Sequence, residues 1–134
     1  GVDGVYISNH GGRQLDHGRG SIDVLPEVVE AVGGKAAVIV DGAINRGTDI
    51  VKAMALGADA VGIGRMQGYG LAANGKDGVV RVLELLEEEI QIAFGLLGVS
   101  SFAELNSSYI TPAPAVNLPH VTSAFPLIDL QHRY

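Results

Sequence analysis

The chain has no cysteine and no tryptophan, and aromatic residues make up only 5% of its 134 positions. Without cysteine there is no disulfide scaffold, no thiolate metal site and no thiol nucleophile. That composition suits a reducing compartment, and a cytoplasmic location with room for peripheral membrane association is the expectation. Charge is sparse as well: charged residues are 18% of the chain against 47% hydrophobic, which is not the balance of a disordered segment. Positive charge is the scarcer sign, and a net charge of −6 argues against nucleic acid, DNA included, as a partner. No apolar run reaches the roughly 20 residues that a membrane-spanning helix needs. No basic stretch followed by an apolar one opens the chain, so no secretory signal is read there. Gly1 stands where a methionine would begin a gene product, and the opening reads as a helix end entering a strand, so a fragment is expected.

What is present is a repeated unit. Val5-Tyr6-Ile7-Ser8 has the length and β-branched content of a strand and ends in the loop Asn9-His10-Gly11-Gly12. Ser21 is the expected N-cap of a helix running to about Val32, with Ile22, Leu25, Val28, Val29 and Val32 as its buried stripe, Pro26 in its first turn and Gly33-Gly34 as its stop. Ala36-Ala37-Val38-Ile39-Val40 is a continuous apolar run, as expected of a strand covered on both faces, and it breaks at Asp41-Gly42. Thr48 or Asn45 is the candidate cap for a second helix carrying Ile50, Val51, Met54, Ala55 and Leu56, which stops at Gly57. Ala60-Val61-Gly62-Ile63-Gly64 is a third strand, ending at Arg65. A short helix near Gln67–Ala73 and a long one near Asp77–Leu97 follow. In the long one Val79, Val82, Leu83, Leu86, Ile90 and Phe94 should face inward, and Glu84, Glu87, Glu88 and Glu89 should face water. From Thr111 the prolines 112, 114, 119 and 126 predict an extended tail.

Three βα units with buried strands and tight loops imply a parallel sheet, either doubly wound or part of a (β/α)₈ barrel. In both, ligands gather at the C-terminal ends of the strands. Those ends carry Ser8 to Arg13, Asp41-Gly42-Ala43 and Gly64-Arg65. Gly42, Gly62 and Gly64 with Arg65 suit an anion held by backbone N–H groups, although glycines at such places often only permit tight turns. A dinucleotide fingerprint is not met, because three residues, not two, separate Gly64 from Gly68. His10 and Arg13 are the sharper pair. Arginine offers a planar carboxylate two parallel hydrogen bonds, and histidine titrates near working pH and can take a proton from an alcohol. A loop histidine taken alone is more often structural. His10, Asp16 and His17 match no metal-ligand spacing, so no metal is expected, and His120 and His132 are read as bystanders.

The run Ser8-Asn9-His10-Gly11-Gly12-Arg13-Gln14-Leu15-Asp16 closely resembles the active-site segment of the FMN-dependent 2-hydroxy-acid dehydrogenase and oxidase family, whose members oxidise glycolate, lactate or mandelate. The resemblance continues through Asp41 to Asp49, Lys52 to Ala58, Gly62 to Arg65 and Tyr69 to Ala72, and covers about residues 1–110. It implies a (β/α)₈ barrel in which these strands are the sixth to eighth, with residues 1–110 the C-terminal part of the FMN-binding barrel and 111–134 a tail. It implies His10 as the catalytic base, His10 and Arg13 as substrate-binding, and Ser8, Asp41, Gly42, Ala43, Ile44, Asn45, Gly64 and Arg65 as FMN-binding. The family usually has a second glycine where Ala43 stands and an arginine where Asn45 stands. An alanine N–H can still serve if its backbone angles are ordinary, and Arg46 points elsewhere on its helix. The activity implied is oxidation of an L-2-hydroxy acid to a 2-keto acid, with the missing N-terminal part of the barrel as partner and a homotetramer as the complete assembly. The competing expectations are another FMN- or phosphate-binding barrel, such as an isopentenyl-diphosphate isomerase, and a non-catalytic half-barrel that needs a partner.

Overall fold

A computed structural model describes residues 1–15 and 17–113. Asp16 and most of the expected tail, His120 and His132 included, lie outside the described residues. Three short strands, β1 (Gly4–Ile7), β2 (Ala37–Val40) and β3 (Ala60–Val61), alternate with helices α1 (Ser21–Val32), α2 (Gly47–Ala55) and α3 (Arg65–Leu97). The strands form one parallel sheet in the order β1-β2-β3, with Val5 opposite Val38, Ile7 opposite Val40 and Val40 opposite Val61. This α/β arrangement agrees with part of a barrel.

Alternation along the strands sorts the two faces of the sheet. Ile7, Val38 and Val40 point to one face and meet Leu25 of α1 and Ala53 of α2, with Val24, Val28, Val29 and Val32 packed around them. Leu25 is fully buried, a contribution of about 1.5–3 kcal/mol for such a side chain. The other face carries Tyr6, Ile39 and Ala60, and Tyr6 is 55% exposed. The expectation that β2 is covered on both faces is therefore corrected: helices cover one face among the described residues. A second cluster joins α2 to α3 and the turns after it, through Val51, Ala93, Phe94 and Val99, with Phe94 and Phe102 edge to face at 5.0 Å.

Local chemistry shifts several expected boundaries. Gly20, not Ser21, is the N-cap of α1, and the Asp23 carboxylate accepts from the Gly20 N–H at 3.2 Å. Pro26 then sits in the second turn, where its missing N–H leaves the Ile22 carbonyl without a helical donor. Ile22 is exposed and Val24 takes its place against the sheet. For α2 the N-cap is Arg46 rather than Asn45 or Thr48, and Asp49 accepts from the N–H groups of Asn45 and Arg46 at 3.1 and 3.0 Å. The two expected C-terminal helices run on as α3, broken at Asn74 and Gly75 by non-helical angles. Leu83 is 52% exposed, contrary to its place in the expected stripe. Glu89 is half-buried rather than solvated: its carboxylate accepts from the Gly47 N–H at 2.6 Å and from Arg46 Nε at 2.7 Å, satisfying the start of α2 from a neighbouring helix.

Candidate active site

Parallel strands deliver their loops to one edge of the sheet, and there a cavity of about 310 Å³ opens. It is lined by His10, Gly11 and Arg13 after β1, by Asp41 to Asn45 after β2, and by Gly64 and Arg65 after β3. All three loops singled out by sequence thus meet at one hollow.

Asn9 shapes the first loop. Its side-chain oxygen accepts from the Gly12 N–H at 3.1 Å, and its amide donates to the Arg19 carbonyl at 3.3 Å. The Ser8 hydroxyl accepts from the His10 N–H at 3.2 Å, so Ser8 supports the loop while its own side chain stays off the cavity wall. His10 adopts φ 54°, a left-handed conformation that costs an L-residue about 1–2 kcal/mol. Strain of this kind is tolerated where surrounding structure over-determines it, and it brings His10 and Arg13 to the same cavity.

The second loop is also left-handed, with Gly42 at φ 102° and Ala43 at φ 55°. The backbone at Ala43 is therefore not ordinary, and the side chain sits where glycine would be free of strain. Ile44 is buried and anchors the loop, Asn45 lines the cavity, and Arg46 turns away to Glu89. Arg46 does not take the place of the arginine that Asn45 lacks. Asp41 receives a hydrogen bond from the Tyr6 phenol on Oδ2 at 3.2 Å, while its Oδ1 is buried without a partner among the described residues. Burial, then the Asp41 charge and hydrogen bond, push the Tyr6 phenol above its usual value.

The third loop brings Gly64, the N-cap of α3, and Arg65, its first residue. The positive end of a helix dipole thus adjoins the cavity. The Arg65 guanidinium lies on Gly11, where a β-carbon would meet its nitrogen at 3.1 Å. Neither Arg13 nor Arg65 has a carboxylate partner among the described residues. Two guanidiniums without a carboxylate partner among the described residues, a histidine and an aspartate suit an anionic, hydroxylated ligand. Sequence reasoning passed over Tyr6 and Asn9. A phenol inside an otherwise aliphatic strand was the available signal for the first, whereas the second depends on loop closure that spacing does not reveal.

A ligand cleft at the C-terminal edge of a parallel α/β sheet, lined by two arginines, defines a class of anion- and cofactor-binding α/β proteins. Comparison with known proteins narrows it. A model of the FMN-dependent dehydrogenase family matches residues 1–112. A 2-hydroxyacid oxidase of Dictyostelium discoideum and an L-lactate oxidase of Nostoc sp. are each 50% identical over 110 residues, covering 82% of this chain and 28% and 30% of theirs. The solved structure of mandelate oxidase with benzoyl-formic acid matches with a TM-score of 0.74 at 51% identity, over 77% of this chain and 31% of that one. A mandelate oxidase mutant with a monooxide FMN adduct gives the same TM-score and identity, over 33% of its chain. The chain belongs to the FMN-dependent dehydrogenase family, and it spans about 30% of the length of the curated relatives it matches.

Proposed function

We propose that this chain supplies the base, the carboxylate clamp and the phosphate end of the cofactor site of an enzyme that oxidises an L-2-hydroxy acid to a 2-keto acid with FMN. The observation that carries this is the single cavity joining His10 and Arg13 to Asp41–Asn45 and Gly64–Arg65. In this reading β1, β2 and β3 are the sixth to eighth strands of a (β/α)₈ barrel, residues 1–110 are its C-terminal part, and residues 111–134 are a tail. The first five strands come from sequence that the relatives possess and this chain does not span, which the 28% and 30% coverage supports. Exposed apolar residues along α3, among them Leu71, Leu85 and Leu96, support burial of that helix in a larger assembly such as a tetramer.

The residues present fit FMN. Arg65 and the α3 N-terminus offer a site for its phosphate, the loop Gly42 to Ile44 lines the same cavity, and Asp41 Oδ2 offers an acceptor to a ribityl hydroxyl. FMN would supply the redox chemistry, taking two electrons from the substrate. Arg13 would grip the substrate carboxylate through its fork and so orient C2. His10, held by the strained loop, would take the proton that leaves the substrate. Ser8 would reach the flavin only from behind that loop, through the hydroxyl that already receives the His10 N–H.

The test is made on the full-length protein, with the preceding barrel sequence restored. It should purify yellow, and anaerobic addition of lactate, glycolate or mandelate should bleach the flavin absorbance with a keto acid as product. A yellow protein that none of these acids bleaches would refute the hydroxy-acid reading and favour another FMN barrel.

A further inference from the structure

Tyr6 sits on the open face of the sheet, the face turned away from the helices. Its ring crosses from β1 over β2 toward β3, and its phenol donates to Asp41 Oδ2 at 3.2 Å. The phenol oxygen also rests on Gly62, where any β-carbon would collide with it. Tyr6 of β1 and the residues just past β2 and β3 therefore converge on one phenol–carboxylate pair beside the cavity that Asp41 lines.

We infer that Tyr6 is a positioning residue for the cofactor, fixing the plane in which the Asp41 carboxylate meets hydroxyl groups of the ligand. The inference rests on the FMN reading above. A carboxylate rotates broadly about its last side-chain bond, so an unrestrained Asp41 would present its oxygens over a range of directions. The Tyr6 bond selects one of them. Oδ1 is buried, so the acceptor capacity that Asp41 keeps for a polyol lies on Oδ2, which is engaged by a single donor. Tyr6 also remains a donor through neutral pH, because burial and the adjacent carboxylate both favour its protonated form. Glycine at 62 belongs to the same device, since the phenol occupies the space of a side chain there.

The test is a double-mutant cycle in the full-length enzyme, read as FMN affinity of the apoprotein by quenching of flavin fluorescence. Tyr6→Phe keeps the ring and should weaken FMN by about 10-fold, the scale of a lost hydrogen bond to a charged group. In an Asp41→Ala background, which leaves the phenol no acceptor at position 41, the same change should matter less than about 2-fold. A merely structural tyrosine would cost the same in both backgrounds, and that result would overturn the inference, as would unchanged affinity in Tyr6→Phe. Should Tyr6→Phe not accumulate in folded form, a monofluorinated tyrosine at position 6 preserves the shape and strengthens the donor. FMN should then bind more tightly, and unaltered affinity would overturn the inference. Wild-type full-length protein with no affinity for FMN would instead overturn the cofactor reading itself, and this inference with it.

Discussion

Two residues in the cavity wall hold backbone angles that L-residues avoid, and they make opposite predictions. At His10 the strain accompanies the side chain proposed to act on substrate. In the full-length enzyme His10→Gln should leave FMN bound and lower turnover by about two to four decades, the usual worth of a positioned base. Near-normal turnover would remove His10 from the base role. At Ala43 no chemistry is assigned to the methyl group, so its strain at φ 55° is uncompensated. Glycine would relieve about 1–2 kcal/mol of left-handed strain but return about 0.4–1 kcal/mol through a freer unfolded chain. Ala43→Gly should therefore raise stability modestly, by at most about 1.6 kcal/mol on those terms, in urea unfolding of the full-length protein. A clear fall in the unfolding midpoint would mean that the methyl packs usefully. The sequence marked His10 because a histidine and an arginine three apart in a glycine-flanked loop are chemically suggestive. It flagged Ala43 only through the resemblance, as an alanine where the family usually has glycine, and the left-handed angle that makes this matter is visible in the structure alone.

Hydrophobic spacing located the three strands and the three α-helices to within a few residues, reading α3 as two pieces and passing over the short 3-10 turns, because β-branched runs and apolar stripes have different periods. What it missed depends on contacts between elements. Glu89 reads as one more solvated glutamate in an acidic run, yet it closes the start of α2. Leu83 reads as part of a buried stripe, yet no described element lies over it. The junction of α2 and α3 offers a test at this scale. A β-carbon on Gly47 would lie 2.5 Å from the Leu86 carbonyl and 2.6 Å from the Glu89 β-carbon. As an isolated helix residue, alanine would be favoured over glycine by about 1 kcal/mol. The contact should win, because backbone of a packed helix cannot yield as a side-chain tip can, and overpacking costs about 1–3 kcal/mol. Gly47→Ala should destabilise the full-length protein in thermal unfolding, and Glu89→Ala in the same background should recover nothing, because alanine keeps the clashing β-carbon and removes the carboxylate that holds the start of α2. Stabilisation by Gly47→Ala alone would show that α2 and α3 are free to separate.

At the scale of the whole chain, the same sheet that builds the cavity leaves it open. β1 and β3 each have one neighbouring strand among the described residues, so each presents an unpaired edge. Tyr6 and Ala60 are exposed on the uncovered face, and Leu83, Ile92 and Leu96 are exposed on α3. In a barrel those edges would close and the uncovered face would become a packed interior. The cavity, at about 310 Å³, stands at the small end of ligand sites, which run from about 300 to 1,000 Å³. Its walls offer groups for a phosphate and a polyol, but the described residues supply no apolar slot for an isoalloxazine ring. The phosphate contacts alone are charged, solvent-exposed and screened by salt, which leaves little net affinity. The 134-residue chain by itself should therefore self-associate, and FMN added at micromolar concentration should show no stoichiometric fluorescence quenching. Co-expression with the preceding part of the barrel should restore a soluble yellow complex, since each portion buries what the other exposes. Sedimentation of the isolated chain and its FMN titration check the two halves of this expectation separately. A monomer that binds FMN tightly and turns over a 2-hydroxy acid would require a flavin site built entirely from these three βα units, and the barrel reading would have to be given up.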